Sequence, residues 1–511
     1  MGCCGIGHAL AMPSAGVKAG RRLLAILAAT CLGAAACAVG PNYQRPSVVA
    51  PPAYKGLPGW KVAQPQDEVL RGAWWEIFQD PLLNSLEEQV DISNQNLAAA
   101  EAQVRQARAQ VQAARAGYYP TLTVSASVIR SGGSGTTQPP SSRGPVTAFT
   151  LPVDASWEPD LWGRVRRTVE SQQAGAQASV ADLQSVRLSA QSSLAQDYFT
   201  VRVLDTDRQL LDDTAAAYQR SLTIVRNRYA VGVASRADVA QAQTQLQSVQ
   251  AQAIDVGVQR AQMEHAIATL IGQPASEFSI PVAPLTIAPP PIPVGVPSEL
   301  LERRPDIAGA ERRMAAANAQ IGVAESAFYP NLTLSAAAGL ASGAFGNWFS
   351  LPSSIWAVGA TISETVFEGG LRKALTEEAR AAYDSTVASY RQSVLAAFQD
   401  VEDNLAALGI LEDEARVQGG AVQSARQALA VVRNQYQAGT LSYLDVVVTQ
   451  TIALANERAA VDISGRRMTA AVLLVKALGG GWNASALDQG TEPAGDSRTP
   501  PGPVSEQKTL S

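Results

Sequence analysis

Hydrophobic and polar positions alternate along four short runs of the chain, as they do in β-strands with two different faces. The runs cover residues 122–128, 149–157, 332–338 and 356–362. Each run is about ten residues long with its flanks, which is the length of a tilted transmembrane strand. A half-buried soluble hairpin gives the same alternation. The sequence therefore predicts two β-hairpins, at residues 119–159 and 329–368. The alternation fits both a membrane-spanning hairpin and a half-buried soluble hairpin.

Proline-free segments with a helical period lie beside these hairpins and predict very long helices. Residues 164–229 are mainly Ala, Gln, Leu, Val and Arg, and a helix of this length extends on the order of 100 Å. In the next segment, apolar positions recur every three or four residues, as in a coiled-coil seam, with an interruption at Arg260. The seam residues are Val239, Ala242, Leu246, Val249, Ala253, Val256, Met263, Ile267 and Leu270. The partner of this seam must be another long helix.

The chain carries the same pattern twice. Tyr229 returns as Tyr436, 207 residues later, and the residues that follow it return in the same order. The matched pairs are Gly232 with Gly439, Ser235 with Ser442, and Asp238 with Asp445. We therefore predict one quasi-symmetric body of the α+β class, mostly helical, with an internal two-fold repeat.

The repeat and the proline content set the predicted boundaries. Repeat 1 covers residues 37–272 and repeat 2 covers residues 305–482, each with a helix, a β-hairpin and a long helical hairpin. The helical hairpins are predicted at residues 164–272 and 371–479. Proline-rich residues 273–304 link the two copies. Residues 483–511 are predicted to be a disordered tail, because Gly, Pro, Ser and Thr dominate them.

Each helical hairpin has a recognisable turn. Gly232 is expected to hold a left-handed cap at the end of one helix, and Ser235 with Asp238 is expected to form a capping box that starts the next. Gly439, Ser442 and Asp445 repeat this arrangement. Capping alone accounts for Asp238. Asp445 fits two roles equally well: it caps its helix, or it also lines a narrow point of a channel.

The amino terminus has the features of an export signal. Lys18, Arg21 and Arg22 precede an apolar run over residues 23–36 that is too short to span a bilayer comfortably. Small residues then lead into Cys37, as in a bacterial lipoprotein cleavage box, although Ala34 replaces the usual Leu. An ordinary signal peptide is the alternative. We predict a lipoprotein signal peptide at residues 1–36, a covalent lipid on Cys37, and sorting to the outer membrane because Ala38 replaces the Asp that retains lipoproteins at the inner membrane.

Composition argues against several other functions. The net charge is −5 and no basic stripe is visible, so nucleic acid is not an expected partner. The four cysteines lie at or before residue 37, and the two histidines are His8 and His265. A mature chain with one histidine and no thiol pair has little from which to build a zinc site or a histidine-assisted nucleophile. We therefore expect no enzymatic activity, no catalytic residues, no metal and no cofactor other than the lipid.

Four strands in lipid also predict an oligomer. Open sheet edges cannot be left in hydrocarbon, and four strands are too few to close a barrel. Two chains would give eight strands, whose interior side chains fill, whereas three chains give twelve strands and leave a lumen. A homotrimer is therefore expected.

Several motifs along the chain resemble one family in order and spacing. They are Cys37 to Pro46, Trp74-Trp75, Asp160 to Arg164, Arg304-Pro305-Asp306, Phe328-Tyr329-Pro330, Gly369-Gly370 and Ala477 to Trp482. Together they resemble the NodT-type outer membrane factors, relatives of TolC and OprM. The resemblance implies a lipid-anchored trimer with a 12-strand outer-membrane β-barrel, continued by a long α-helical barrel in the periplasm. It also implies an exit duct for drugs and small toxic compounds, with a periplasmic adaptor and an inner-membrane resistance-nodulation-division transporter as partners.

The same resemblance assigns roles to the turn residues. In this family the second-copy turn closes the duct, so Leu444, Asp445 and Val448 are expected at the periplasmic gate. Many relatives have Asp at the position of Val448, which leaves Asp445 as the expected acidic ring. The adaptor-contacting tips are expected at Gly232, Ser235, Asp238, Gly439 and Ser442.

Two other functions remain open from the sequence. A type I protein-secretion duct shares the fold, and the lipoprotein signal with the NodT-type opening argues for efflux instead. A non-conducting trimeric surface lipoprotein would explain the anchor and the helices, but it would not need four alternating strands between them.

Overall fold

The computed structural model describes residues 38–47, 51, 54–55, 72–132, 145–292, 303–482 and 484. The predicted signal peptide, Cys37 and nearly all of the predicted tail lie outside the described residues. The helices are α1 (Pro81–Ser93), α2 (Gln95–Ala116), α3 (Arg164–Ala230), α4 (Arg236–Leu270), α5 (Pro305–Ser326), α6 (Leu371–Gln437) and α7 (Tyr443–Ala477). The strands are β1 (Thr121–Val124), β2 (Ser127–Ser131), β3 (Val146–Trp157), β4 (Asn331–Ser342) and β5 (Ser354–Ser363).

The helix lengths confirm the duplication. Helices α3 and α6 each contain 67 residues, and helices α4 and α7 each contain 35. At a rise of about 1.5 Å per residue, α3 and α6 are each about 100 Å long, as the sequence predicts. Among the described residues, no helix has both the length and the apolar character that would take it across a bilayer.

The chain divides into two compact units, and each unit contains matching parts of both copies. Among the described residues, those of 38–47, 105–176 and 310–391 form one unit, which includes both β-hairpins. The described residues of 51–104, 177–309 and 392–484 form the other, which includes the turns of both helical hairpins. Neither unit is one sequence repeat, so the two copies are interleaved rather than folded as separate modules.

The strands form one antiparallel sheet in the order β1/β2, β3, β4, β5. The two predicted hairpins are joined through their inner strands, where Val153 of β3 is opposite Ala338 of β4. Strands β1 and β2 occupy one edge and β5 the other. The sheet therefore has four strand positions and, within this chain, two edges that are left unpaired.

The predicted alternation over residues 122–128 is retained, because both parts of the first strand pair with β3 in one continuous register, but the strand itself is interrupted. It is divided into β1 and β2, which both pair with β3. The interruption faces Pro152, which accepts a hydrogen bond from the Ser125 amide (3.2 Å) but has no N–H to donate in return. On the other side of Pro152 is Gly339, where a Cβ would be only 2.6 Å from the Pro152 Cα. The proline thus explains both the break and the glycine.

The two faces of the sheet differ in chemistry. Because side chains alternate along each strand, the register places the large apolar residues together on one face. This apolar face includes Leu122, Val124, Phe149, Val153, Trp157, Leu334, Trp356, Val358 and Ile362. The opposite face carries small and polar residues, among them Thr123, Thr150, Asp154, Ser156, Ser335, Ala337 and Thr361.

The predicted seam of α4 packs against α3. The shared core contains Leu246, Val249 and Val256 from α4 with Leu211 and Leu222 from α3. Each of these five side chains is buried. The prediction that another long helix covers the seam is therefore confirmed.

Arg260, which interrupts the seam, has a structural partner. Its Nε donates to Asp205 of α3 at 2.6 Å, and its Nη2 donates to the Ile280 carbonyl at 2.7 Å. The Asp205 side chain is fully buried and also accepts from the Ala283 amide at 3.1 Å. This ion pair therefore fastens the first part of the predicted linker, which has no helix or strand over residues 273–292, onto the helical hairpin.

Candidate functional site

The predicted tip residues lie in two turns with the same backbone geometry. Turn 1 (residues 231–235) joins α3 to α4, and turn 2 (residues 438–442) joins α6 to α7. Gly232 has φ +78° and Gly439 has φ +82°, in the left-handed region that disfavours a side chain. The amide of Gly232 donates to the Tyr229 carbonyl at 2.9 Å, and the amide of Gly439 donates to the Tyr436 carbonyl at 3.0 Å. Both predicted glycine caps are therefore present.

A capping box follows each glycine. In turn 1 the Ser235 amide donates to the Asp238 carboxylate at 2.8 Å, and the Asp238 amide donates to the Ser235 hydroxyl at 3.1 Å. In turn 2 the Ser442 amide and hydroxyl both donate to the Asp445 carboxylate, at 3.0 and 2.6 Å. Each carboxylate thus satisfies donors at a helix start and complements the helix dipole. Asp445 is therefore a capping residue, as the sequence predicts.

The three predicted gate residues share the exposed face of α7. Leu444 is 54% exposed and Val448 is 51% exposed, and Asp445 between them is exposed as well. On the other side of the same helix, Tyr443 and Val446 are buried against α3 and α4. The core therefore fixes the orientation of α7 and leaves an apolar pair with one carboxylate available to another surface.

An arginine joins the two turns, and it has no counterpart in the second copy, where Gln435 takes its position. Arg228 donates from Nη1 to the Tyr436 carbonyl at 2.6 Å, and its guanidinium carbon lies 4.7 Å from the centre of the Tyr436 ring. The Tyr436 ring in turn lies 5.5 Å from the Tyr443 ring. This cluster, Arg228 with Tyr436 and Tyr443, connects the end of α3 to both helices of the second hairpin.

The tyrosines of this cluster are held in their neutral form. Burial raises the pKa of Tyr443 to about 12, with smaller contributions from Tyr436, Tyr218 and Asp238. Burial also raises the pKa of Tyr436, while the Arg228 cation opposes that rise. Neither ring is therefore charged near neutral pH. Arg228 was not predicted as a site residue. The sequence does carry a signal for it, because Arg228 differs from Gln435 while the residues on either side of the two positions match.

Turn 1 also presents an apolar surface that turn 2 lacks. Tyr229, Val231 and Val233 are 48%, 74% and 63% exposed. In turn 2 the residues after Tyr436 are Gln437, Ala438 and Thr440 with the capping glycine, which are smaller or more polar. The two tips therefore have the same backbone and different surfaces.

Other chemistry is sparse in the part of the chain that the structure describes. It contains no group of three or more His, Cys, Asp or Glu side chains placed to hold a metal ion. The predicted lipidation site, Cys37, lies outside the described residues, one position before Ala38.

The sequence matches the family model described as "Outer membrane efflux protein" over residues 86–273 and 296–480. The chain belongs to the outer membrane efflux protein family. It is 32% identical over 464 residues to the pyoverdine export outer membrane protein OpmQ of Pseudomonas aeruginosa, a match that covers 90% of this chain and 97% of OpmQ. It is 30% identical over 468 residues to the probable efflux pump outer membrane protein TtgC of Pseudomonas putida, covering 89% and 95% of the two chains.

The fold of this family member matches solved channels. The structure of the outer-membrane channel OprN superimposes with a TM-score of 0.80 at 30% identity, covering 87% of this chain and 100% of that one. The chain therefore has the TolC-like fold that the resemblance implies and acts as an outer-membrane exit duct for efflux, with its helical barrel in the periplasm.

Proposed function

We propose that three copies of this chain form the duct, that a lipid on Cys37 anchors each copy, and that a periplasmic adaptor connects it to an inner-membrane resistance-nodulation-division transporter. The four strand positions with two unpaired edges carry the trimer proposal. Three chains supply twelve strands, which close a barrel and leave a lumen. The apolar face of each sheet would meet lipid, and the small polar face would line the lumen.

The proposed duct conducts its cargo without chemical change. Relatives are named for the export of pyoverdine and for an efflux pump. From these names we infer small compounds as the cargo of this chain, rather than the secreted proteins of a type I system. The lumen face supports this role, because most of its side chains are Thr, Ser, Ala and Gly, which make few strong contacts with a passing solute. Asp154 adds one carboxylate per chain to this face.

The exposed face of α7 is proposed as the periplasmic gate. Three Leu444 side chains, with three Val448 side chains one turn away, would form an apolar constriction that resists wetting. Three Asp445 carboxylates would repel one another and favour cations at the same point. Their capping bonds to Ser442 would hold the carboxylates in place.

The adaptor is proposed to dock at the tips, with turn 1 as the main contact. Its exposed Tyr229, Val231 and Val233 offer apolar area, and Gly232 holds the loop in shape. Replacing Gly232 with Val is expected to disfavour the left-handed cap by roughly 1 kcal/mol or more. Efflux should fall while the oligomer persists, and Gly439→Val is the matched variant in turn 2.

Single-channel recording in planar bilayers tests conduction and the gate together. The wild-type protein should conduct, whereas a non-conducting surface lipoprotein would not. Asp445→Asn should reduce cation selectivity, because it removes one negative charge per chain from a narrow ring, and Leu444→Ala should increase leakage through the closed state. Asp238→Asn is the control, since its carboxylate makes the same kind of cap in the other copy. If Asp445→Asn and Asp238→Asn have the same cation selectivity as the wild type, Asp445 caps its helix and does not act in the gate.

A further inference from the structure

We infer that a groove on the apolar face of the sheet binds the acyl chain carried by Cys37 of the same chain. The inference rests on the lipid anchor proposed above and adds the place where the lipid lies. Two observations carry it. The residues that follow Cys37 have a fixed path that contacts Trp162, and the groove is lined by Trp157, five residues earlier in the chain.

The first residues after Cys37 are held against the base of the sheet. The Val39 amide donates to the Trp162 carbonyl at 3.1 Å, and Arg167 donates to the Val39 and Gly40 carbonyls at 3.1 and 2.9 Å. A Cβ on Gly163 would lie 3.0 Å from the Ala38 Cα. Ala38 therefore lies against the short connection that follows β3.

The next residues keep this segment from moving along the helices. Gly40 has φ +95°, and a Cβ there would be 2.4 Å from the Gly322 Cα of α5. Further along, Asn318 donates to the Pro41 carbonyl at 2.9 Å, and the Tyr43 hydroxyl donates to Glu311 at 3.1 Å. Because these partners all lie on α5, residues 38–43 form a strap with a fixed path along that helix.

The strap begins at the aromatic boundary of the sheet. Trp162 stacks on Tyr329 with ring centres 4.8 Å apart, and its indole N–H donates to the Pro330 carbonyl at 2.8 Å. Pro330 directly precedes β4. Aromatic residues are typical of the level where a barrel leaves the hydrocarbon, which is also where the glyceryl end of a lipid anchor lies.

The groove lies further along the apolar face. Its lining includes Leu334, which follows Pro330 by four residues, or about 13 Å at roughly 3.3 Å per residue of strand. Its volume is about 420 Å³, within the range of roughly 300–1,000 Å³ that is usual for small-molecule sites. Small side chains form its floor, and the larger Trp157, Leu334 and Val358 form its sides. The floor residues are Ala155, Ala336 and Ala360. Trp157 is held in position by a hydrogen bond from its indole N–H to the Tyr118 carbonyl at 3.0 Å.

These features fit an extended hydrocarbon chain that is attached nearby. Ser156 and Ser335 also line the groove, but most of its lining is apolar and suits methylene groups better than a polar head. Bilayer lipids compete for the same surface. The strap holds Ala38, the residue that follows Cys37, against the connection after β3, which favours an acyl chain attached there over a free lipid. The attached chain is therefore expected to be its main occupant.

Photocrosslinking in cells tests the assignment. Cells expressing the full chain are grown with a palmitate analogue that carries a diazirine, irradiated, and the purified protein is digested for mass spectrometry. The expected product is an N-terminal peptide linked through its acyl group to a peptide from β3, β4 or β5. The groove assignment would be overturned if crosslinks to phospholipid were the only ones found, either on the strand peptides or on the N-terminal peptide.

Three variants separate this inference from the lipid anchor itself. Cys37→Ser should abolish labelling of the N-terminal peptide, and a wild-type protein without label there would refute the anchor proposal instead. Ala336→Trp fills the groove and should lower the strand crosslink several-fold, whereas Ala337→Trp, on the opposite face of β4, should leave it unchanged. Gly40→Val displaces the strap and should also lower the crosslink. An unchanged crosslink in both Ala336→Trp and Gly40→Val would refute the groove.

Discussion

At the scale of single residues, the departures from the repeat carry more information than the matches. Tyr229 and Tyr436 occupy equivalent positions, yet Tyr436 packs under Arg228 while Tyr229 is 48% exposed. Two substitutions between the copies accompany this difference. Gln435 stands where the first copy has Arg228, and Tyr443, which packs against Tyr436, stands where the first copy has Arg236. A glutamine has neither the charge for a cation–π contact nor the same reach to the facing carbonyl.

Replacing Arg228 with Gln gives the first copy the residue that the second copy has at position 435. The change should weaken the contact between the two helical hairpins. The change removes a charged hydrogen bond to the Tyr436 carbonyl and the contact with its ring, which together contribute about 1–3 kcal/mol. We expect more frequent openings in single-channel records and little change in fully open conductance. Arg226→Gln, at an exposed position of the same helix, is the control. If both variants open equally often, the Arg228 contact does not restrain the turns.

Glu87 of α1 is a second residue whose role requires the structure. Its side chain is fully buried, and neither carboxylate oxygen has a hydrogen-bond partner among the described residues. Burial, with a smaller contribution from the Asp91 carboxylate, raises its pKa well above the ordinary value of 4.5. The folded protein therefore favours the neutral acid, and stability should decrease as the pH rises above 4.5 toward the raised pKa.

Glu87→Gln keeps the shape of the side chain and removes its titration. The variant should unfold at a higher temperature than the wild type near pH 8, with about 1.4 kcal/mol gained for each unit of pKa shift. The difference should disappear near pH 4, where both side chains are neutral. Thermal unfolding across this pH range measures it, and Glu88→Gln, on the exposed side of the helix, is the control. A pH-independent difference would show that ionisation of Glu87 is not the cause.

Prediction from sequence at this scale depended on how local the interaction is. The Gly232 and Gly439 caps and the two capping boxes were predicted, because their partners are three or four residues away. The contact of Arg228 with Tyr436 joins residues 208 positions apart and leaves no periodic trace. The gate function of Leu444, Asp445 and Val448 stays a prediction, since it depends on surfaces from other copies.

At the scale of elements, strand and helix periods were sufficient to locate the hairpins and the long helices. The interruption at Pro152 was predictable in principle, because proline lacks the donor that a central strand needs. The pairing of the two hairpins through β3 and β4 was not, because alternation indicates which face a residue has and not which strand is its neighbour. In the sequence, Arg260 interrupts the apolar seam without an evident reason. In the structure, it forms an ion pair with the buried Asp205.

Arg260→Leu would restore the apolar seam in sequence, and we expect it to destabilise the fold. The substitution leaves Asp205 buried with a weaker set of partners, since Arg202 is 3.6 Å away and the Ala283 amide is the remaining close donor. Breaking one side of a buried ion pair costs about 3–5 kcal/mol. Chemical denaturation should show this loss. The linker near Ile280 should also become more accessible to proteases.

The double variant Arg260→Leu with Asp205→Asn separates charge from packing. Removing the carboxylate charge should recover part of the stability that the single variant loses, because Arg202, at 3.6 Å, is then the one cation among the described residues left to compensate Asp205 in the single variant. Asp212→Asn is the matched control, since that residue makes an exposed ion pair on the same helix. A stable Arg260→Leu variant would indicate that the seam needs no ion pair at this point.

At the scale of the whole molecule, the sequence was sufficient for the family and the fold, because the repeat and the motif order are global features of one chain. The number of chains is a separate question. The number of chains follows from the two unpaired edges of the sheet, because one chain cannot close them. The sequence indicates these edges only through the number of strands that it predicts. Edge strands β1/β2 and β5 are three strand spacings apart within the chain, or about 14 Å at roughly 4.8 Å each.

Engineered cysteines at the two edges test closure into a trimer. The four natural cysteines lie at or before residue 37, so the introduced thiols stand alone in the described sheet. Thr123→Cys in β1 is combined in turn with Ala357→Cys, Gly359→Cys or Thr361→Cys in β5, all on the small polar face. Within one chain the two sulfurs are too far apart for a disulfide, which needs Cα atoms within about 7 Å. Bonds should form only between chains.

The expected product of oxidation is a ladder that stops at three chains on a denaturing gel. The three β5 positions are spaced two residues apart on one face, so that they sample three registers of β5 against the β1 strand of a neighbouring chain, and we expect at least one pair to react. Thr123→Cys with Val358→Cys is the control, since Val358 lies on the opposite face of the sheet and the sheet separates the two thiols. A ladder that stops at two chains would contradict the twelve-strand barrel, because eight strands leave little lumen for a duct. A ladder that continues past three would indicate open edge-to-edge association rather than a closed ring.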